Sequence, residues 1–132
     1  MRELWGDRPP ALEEVGPVLS LLVEATRGLP WHDALSRQSA HLHGVAGSSW
    51  YAELVLAEGA PPLPRGIPQP CAALSSRVGV YPWGTLLLWL DQGATALSCI
   101  EYAAVEMADV DHYPRVDELE VDPWTPSPAE VR

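Results

Sequence analysis

The first third of the chain repeats apolar residues at helical spacing. They stand three or four positions apart, at Leu12, Val15, Leu19, Leu22 and Val23. This spacing predicts a helix over 11–27 that Gly28 stops. Pro17 interrupts the pattern, so the helix either begins near Gly16 with Pro17 in its first turn or is kinked there. A short second helix is predicted over 31–38, which makes 10–38 a helical segment.

From residue 39 onward the period changes to two. Apolar Trp50, Ala52, Leu54 and Leu56 alternate with Tyr51, Glu53 and Val55. The turn residues 46–49 predict that 41–45 pairs back on this strand. Further strands are predicted over 74–81, 85–90 and 95–102, with turns between them. The pattern therefore predicts an α+β fold, in which the N-terminal helix packs on a mainly antiparallel sheet of about five strands over 39–122.

Proline marks two segments outside this pattern. Residues 57–70 contain Pro61, Pro62, Pro64, Pro68 and Pro70, and such a stretch fits neither a helix nor a central strand. We expect a long surface loop there and a tail over 123–132. With 132 residues, the chain has the length of a single domain, 1–132.

The hairpin predicted around Asp91 is apolar on both sides. If Asp91 lies opposite Ala94, one face carries Leu86, Leu88, Leu97 and Cys99, and the other carries Leu87, Trp89, Ala96 and Ile100. A strand pair of this kind belongs in the middle of a sheet whose two faces are both covered. The N-terminal helix can cover one face. The candidates for the other are the Pro-rich loop, the C-terminal segment and a second subunit in a homodimer.

The charge balance excludes some partners. Eighteen acidic residues face eight basic ones, for a formal net charge of −10, and every basic residue is arginine. Such a surface repels duplex nucleic acid and anionic membranes, whereas it attracts a basic protein. Simple solubility is the other interpretation. Without a signal sequence, an apolar span or a C-x-x-C pair, the chain is expected to be cytoplasmic.

Two histidines form a candidate pocket with nearby carboxylates. His41 and His43 are two positions apart on a predicted strand, so they point to one side. An even-numbered turn places both on the apolar face beside Trp50, and an odd-numbered turn places them with Glu53 on the other face. Glu53 and Glu101 are the carboxylates in reach of such a pocket. No spacing supplies further metal ligands, so we expect no metal.

The segment from Glu101 to Asp122 is strongly acidic. It holds eight acidic residues against a single Arg115. The candidate partner-binding residues are Glu106, Asp109, Asp111, Asp117, Glu118 and Glu120, together with Trp83 in a predicted Pro-Trp-Gly turn. A row of carboxylates can meet the arginines and lysines of a partner. The competing interpretation is an ordinary solvated acidic face.

No catalytic motif is present in the sequence. The nucleophile elbow, the phosphate-binding loop, the zinc-protease motif and the dinucleotide-binding motif are all missing. We therefore predict no catalytic residue and no cofactor, and we expect a protein that is not an enzyme.

The second half of the chain resembles a known group of proteins. The predicted hairpin has the turn Asp91-Gln92-Gly93, and its second strand ends in Ile100-Glu101-Tyr102. An acidic loop follows, and the segment from Pro114 to Val121 ends the predicted fold. Over 84–121 this order resembles small uncharacterised bacterial proteins, including immunity proteins of polymorphic toxin systems. The resemblance implies a compact α+β domain that binds and blocks a toxin without catalysis. It transfers no individual site residue.

These observations lead to one expected function and two alternatives. We expect a non-enzymatic binding protein, of the immunity type, that neutralises a basic toxin or effector through an acidic and aromatic surface. The first alternative is a small-ligand-binding or hydrolytic domain around His41 and His43. The second is a structural subunit of a larger assembly.

Overall fold

A computed structural model describes residues 9–76, 84–104 and 112–120. Its helices are α1 (Leu12–Glu24) and α2 (His32–Ser39). Its strands are β1 (Leu42–Gly47), β2 (Tyr51–Leu56), β3 (Ala72–Ser76), β4 (Gly84–Leu90), β5 (Leu97–Ala104) and β6 (Leu119–Glu120). A 3₁₀ turn, Val116–Glu118, precedes β6. The predicted α+β class is confirmed, with six strands instead of about five, because β6 is only two residues long and has no sequence pattern.

Helix α1 continues through its proline. Pro17 lies inside the helix, where it removes one backbone donor, and the helix is neither restarted nor divided there. The residue before a proline normally avoids the helical region because its Cβ meets the proline ring. Gly16 has no Cβ, which allows the helix to pass. At its start, the Glu14 carboxylate accepts the backbone N–H of Ala11 at 2.8 Å and caps the first turn.

The sheet is built from two local hairpins that meet at its centre. All five strand pairings are antiparallel, and the strand order is β1-β2-β5-β4-β3-β6. Strands β1 and β2 form one hairpin, and β4 and β5 form the other. The pairing of β2 with β5 joins them, which places β5 and β4 in the interior of the sheet.

One face of the sheet carries the core. We call this the inner face, and both helices pack on it. Its buried side chains include Ala52, Leu54, Leu74, Leu86, Leu88, Ile100, Tyr102 and Leu119. From α1, Val15, Val18, Leu19 and Leu22 meet them, and Leu35 comes from α2. At roughly 25 cal/mol per Å² of buried apolar area, this layer is the main source of stability. The N-terminal helix therefore covers one face, as the sequence predicts.

The predicted register of the β4–β5 hairpin is wrong, because Leu88 lies opposite Ile100 and not opposite Leu97. Trp89 pairs with Cys99 and Leu90 with Leu97, so Ser98 is an extra residue in β5, a β-bulge. Because side chains alternate along a strand, this extra residue moves Cys99 and Ile100 each to the face opposite the predicted one. Ile100 joins Leu88 on the inner face, and Cys99 joins Trp89 on the opposite face, which we call the outer face.

The Pro-rich loop packs with the helices. Leu63 and Ile67 of this loop are buried in the same core cluster as α1 and α2. The Gln38 side chain of α2 donates to the carbonyl oxygen of Pro61 at 2.9 Å, which fixes the loop against the helix. The loop is thus not the cover of the outer face. No helix or loop within the described ranges occupies that position.

Several predictions fall on residues outside the described ranges. They concern the Pro-Trp-Gly turn with Trp83, the acidic residues Glu106, Asp109 and Asp111, and the tail over 123–132.

Candidate functional site

The outer face brings six side chains from three strands into a small array. One row across the sheet is Glu53, Cys99 and Trp89, and the next row is Tyr51, Glu101 and Leu87. In each row, the first residue comes from β2, the second from β5 and the third from β4. We call these six residues the outer-face patch. It exists because β5 lies between β2 and β4, which are distant in sequence.

Glu101 is held in place by an indole. The Trp89 Nε1–H donates to Glu101 Oε1 at 3.0 Å. The two side chains are diagonal neighbours on adjacent strands, and both are half-buried. A carboxylate that accepts an indole N–H keeps its second oxygen available for another donor. Within the described part of the chain, no hydrogen bond to that second oxygen is formed.

Cys99 forms the floor of the patch. It is fully buried, yet it lies outside the core cluster because it faces away from the helices. Burial raises the pKa of its thiol, and the Glu101 and Glu53 carboxylates raise it further, while a hydrogen bond from Tyr51 opposes them. The thiol is therefore neutral at physiological pH and is a poor nucleophile.

Tyr51 lies at an exposed side of the patch, with 47% of the residue accessible. Its pKa is raised, first by the hydrogen bond to Cys99 and also by desolvation and by the Glu101 and Glu53 carboxylates. Val55, four residues after Tyr51 in β2, is 43% exposed on the same face. The patch thus presents an aromatic and an aliphatic side chain to solvent beside two carboxylates.

In the described strands, every charged side chain on the outer face is negative. The charged residues of the six strands are Glu53, Glu101 and Glu120, and no arginine occurs in these strands. All three glutamates lie on the outer face, since Glu120 pairs with Ser75 and Ser75 with Thr85. Glu53 and Glu101 are diagonal neighbours on β2 and β5, so their like charges repel one another.

The predicted histidine pocket is not assembled. Four residues, 48–51, connect the paired positions Gly47 and Ala52, so the turn is even-numbered. However, a bulge at His43 reverses the alternation before Gly44, and His43 is exposed. His41 lies before β1 and is half-buried, and its carbonyl oxygen accepts the backbone N–H of Ala57 at 2.8 Å. The structure therefore unites Glu53 and Glu101 with each other, and it does not pair the two histidines on the apolar face.

The described part of the acidic segment divides into two groups. Asp117 and Glu120 are exposed, as a partner-binding role requires. Glu118 is buried, with 6% exposure, and its carboxylate lies 2.8 Å from His112 Nε2 and accepts the Arg115 backbone N–H at 3.0 Å. Glu118 thus caps the backbone N–H at the start of the 3₁₀ turn, that of Arg115, with its own side chain. Its side chain is directed away from solvent.

Two open grooves lie elsewhere on the surface. One, of about 310 Å³, is between the start of α1 and residues 112–116. The other, of about 530 Å³, is between α2 and residues 61–64 of the Pro-rich loop. Within the described ranges, no group of three or more His, Cys, Asp or Glu side chains is arranged to hold a metal ion. Glu13, Glu14, His112 and Tyr113 are among the residues that line the first groove, and Asp33 and Arg37 are among those that line the second.

Sequence reasoning identified Glu53 and Glu101 but missed their actual neighbours. Period-two alternation already places Tyr51 with Glu53, and Leu87 with Trp89. The missing information was the pairing of β2 with β5, which no local signal reports.

Comparison with known proteins gives no relative. No protein-family model matches the chain, and neither a curated protein sequence nor a solved structure does. Among the described residues, no helix has the length and apolar character that crossing a membrane requires.

Proposed function

We propose that this protein is a non-enzymatic binding protein whose outer sheet face docks on a basic protein. The observation that carries the proposal is the composition of the outer-face patch. Exposed Tyr51 and half-buried Trp89 and Leu87 surround two carboxylates that no arginine of the sheet neutralises. Interfaces commonly combine aromatic anchors with charges that are complementary across the contact.

The chemistry of the partner follows from the charge of this face. The whole chain has a net charge of −10, and the strands contribute only glutamate. A basic partner is steered toward this surface and relieves the repulsion between Glu53 and Glu101 on contact. Neutralisation of a basic toxin or effector, as the resemblance to immunity proteins implies, is the specific form of binding that we propose.

A matched pair of double variants tests this function. Wild type, E53Q/E101Q and E13Q/D33N are each used to capture proteins from a lysate of the source organism at low and high salt. Both variants remove two negative charges, but Glu13 and Asp33 are exposed on the helices, on the other side of the sheet. We expect one basic protein to be retained by wild type and E13Q/D33N and lost from E53Q/E101Q.

The captured protein is then expressed in cells with and without this chain. Toxicity that wild type relieves and that E53Q/E101Q leaves unrelieved supports the immunity role. Equal loss of capture in both double variants would show that only net charge matters, and that the outer face is not the docking surface.

A further inference from the structure

The outer-face patch has the shape and charge to select one kind of cationic side chain. This inference rests on the proposed function and makes its partner more specific. Glu101 is anchored at the indole N–H of Trp89, at 3.0 Å, so this carboxylate is held in place before a cation arrives.

A second carboxylate, that of Glu53, lies near Glu101 and adds further hydrogen-bond acceptors to the patch. Glu53 is the diagonal neighbour of Glu101 across the β2–β5 pairing, and diagonal positions are about 7–8 Å apart. A guanidinium group has five N–H donors spread over a plane and can donate to two acceptors at once. A lysine ammonium is a compact point charge, and it is more strongly hydrated.

The surroundings of the two carboxylates favour the less hydrated cation. Leu87 lies directly opposite Glu101 on β4, and Tyr51 lies opposite it on β2. Cys99 fills the floor between Glu53 and Trp89 and is fully buried. A cation seated here gives up part of its hydration shell against these apolar groups, which costs a guanidinium less than an ammonium.

We infer that Trp89, Glu101 and Glu53 form a receptor for an arginine side chain of the partner and discriminate against lysine at that position. The Glu101 second oxygen and the Glu53 carboxylate accept the guanidinium N–H groups, and the indole N–H of Trp89 holds Glu101 in position. The negative field at the patch supports this assignment, since both carboxylates raise the pKa values of Tyr51 and Cys99.

Two peptides of equal charge test the inference on the full-length protein. The probes are acetyl-Gly-Arg-Gly-Arg-Gly-amide and its lysine counterpart, followed by the NMR signal of the Trp89 indole N–H, which is assigned from its loss in Trp89→Phe. We expect the arginine peptide to bind about threefold or more tightly than the lysine peptide. Glu101→Gln keeps an oxygen for the indole N–H and should abolish this preference, whereas E13Q/D33N should keep it.

The outcomes separate this inference from the proposed function. Equal binding of the two peptides at Trp89 overturns the arginine receptor, and loss of the basic partner in E53Q/E101Q still supports the function. An arginine preference that survives in Glu101→Gln places the receptor elsewhere and also overturns the inference. If neither peptide shifts the Trp89 signal, the receptor is absent, and the lysate capture alone then decides the function. Retention of dispersed methyl signals in each variant shows that it is folded.

Discussion

Gln38 is a fully buried amide whose hydrogen bonds join three distant parts of the chain. Its Nε2 donates to the carbonyl oxygens of Pro61 at 2.9 Å and Thr95 at 3.0 Å. Its Oε1 accepts the Leu97 backbone N–H at 2.6 Å. Helix α2, the Pro-rich loop and the start of β5 thus share one side chain. This network explains how a loop with five prolines is fixed without a strand or helix of its own.

Replacing Gln38 by leucine should therefore be costly. The variant leaves the buried Leu97 N–H without its acceptor and the Pro61 carbonyl oxygen without its Gln38 donor, while the Thr95 carbonyl oxygen keeps the Leu63 N–H. We expect this change to lower the free energy of unfolding by about 2–4 kcal/mol. Urea denaturation measures the change. Gln92→Leu is the control, because Gln92 is exposed in the turn between β4 and β5 and should change stability by less than about 0.5 kcal/mol. A loss below about 1 kcal/mol for Gln38→Leu would contradict this account.

Because the Cys71 thiol is buried, we expect the free energy of unfolding to decrease at alkaline pH. Its thiol is fully buried and donates to the Leu88 carbonyl oxygen at 3.5 Å, and burial raises its pKa to about 12 from an ordinary 9.0. Above pH 9 the unfolded chain ionises this thiol and the folded chain does not, so stability decreases as the pH rises from 9 toward 12. At about 1.4 kcal/mol per pH unit, the loss reaches about 2 kcal/mol at pH 10.5.

The free energy of unfolding, measured from pH 8 to 10.5, checks this dependence. Cys71→Ala should be less stable at pH 8 but should show a flatter pH dependence. A slope remains in the variant, because burial also raises the pKa values of Cys99 and Tyr113. An unchanged slope would assign the alkaline loss to those groups instead of Cys71.

At the scale of elements, α1 depends on a pair of adjacent residues. Gly16 is the residue that lets the helix pass Pro17, and beyond its chain neighbours and its own helix a Cβ added there meets nothing within 4 Å. In an ordinary helix, Gly→Ala would add about 0.5–1 kcal/mol of stability. Before a proline, the added Cβ meets the ring. We expect Gly16→Ala to stabilise the Pro17→Ala variant by about 0.5–1 kcal/mol and to give no gain in the wild type.

A double-mutant cycle from urea denaturation measures this coupling. The four proteins are wild type, Gly16→Ala, Pro17→Ala and the double variant. Equal effects of Gly16→Ala in both backgrounds would show that the two positions act independently and that glycine is not what admits the proline.

The elements that sequence predicted are those formed by local contacts. The 3.6 and 2.0 periods located both helices and the strands of both hairpins, because one turn or one short reversal forms each of them. The periods did not predict the two β-bulges, at His43 and at Ser98, and each bulge places side chains on the face opposite the predicted one. In the second hairpin, Leu86 to Leu90 is apolar on both faces, so its pattern contains nothing that reveals the register.

At the scale of the molecule, charge predicts a response to salt. With 18 acidic and eight basic residues, the folded chain repels itself, and salt screens this repulsion. We expect a gain of about 1 kcal/mol between 10 and 150 mM NaCl at pH 7, seen as a rise of roughly 4 °C in the Tm. Near pH 4.6, the pI of the sequence, the effect should vanish. A Tm that decreases with salt at pH 7 would mean that attractive ion pairs dominate.

The outer-face patch depends on how distant strands pair in the whole molecule. For that reason the sequence pattern predicts only some of its residues. Glu53 and Glu101 stood out as carboxylates, but each was assigned to a pocket with His41 and His43. The true neighbours come from the pairing of strands that 40 residues separate, from Leu56 to Leu97. Long-range strand order depends on the whole packing arrangement and not on any local signal.

The seam between β2 and β5 also sets the order of events during folding. Each hairpin can form early because its turn is short, whereas the seam forms only after the two hairpins meet, with the entropy of the intervening loop already lost. Tyr51 and Glu53 belong to the first hairpin, and the other four members of the outer-face patch belong to the second. The outer-face patch is therefore complete only after the two hairpins have paired. A ligand that contacts residues of both hairpins would distinguish a chain in which the hairpins are paired from either hairpin alone.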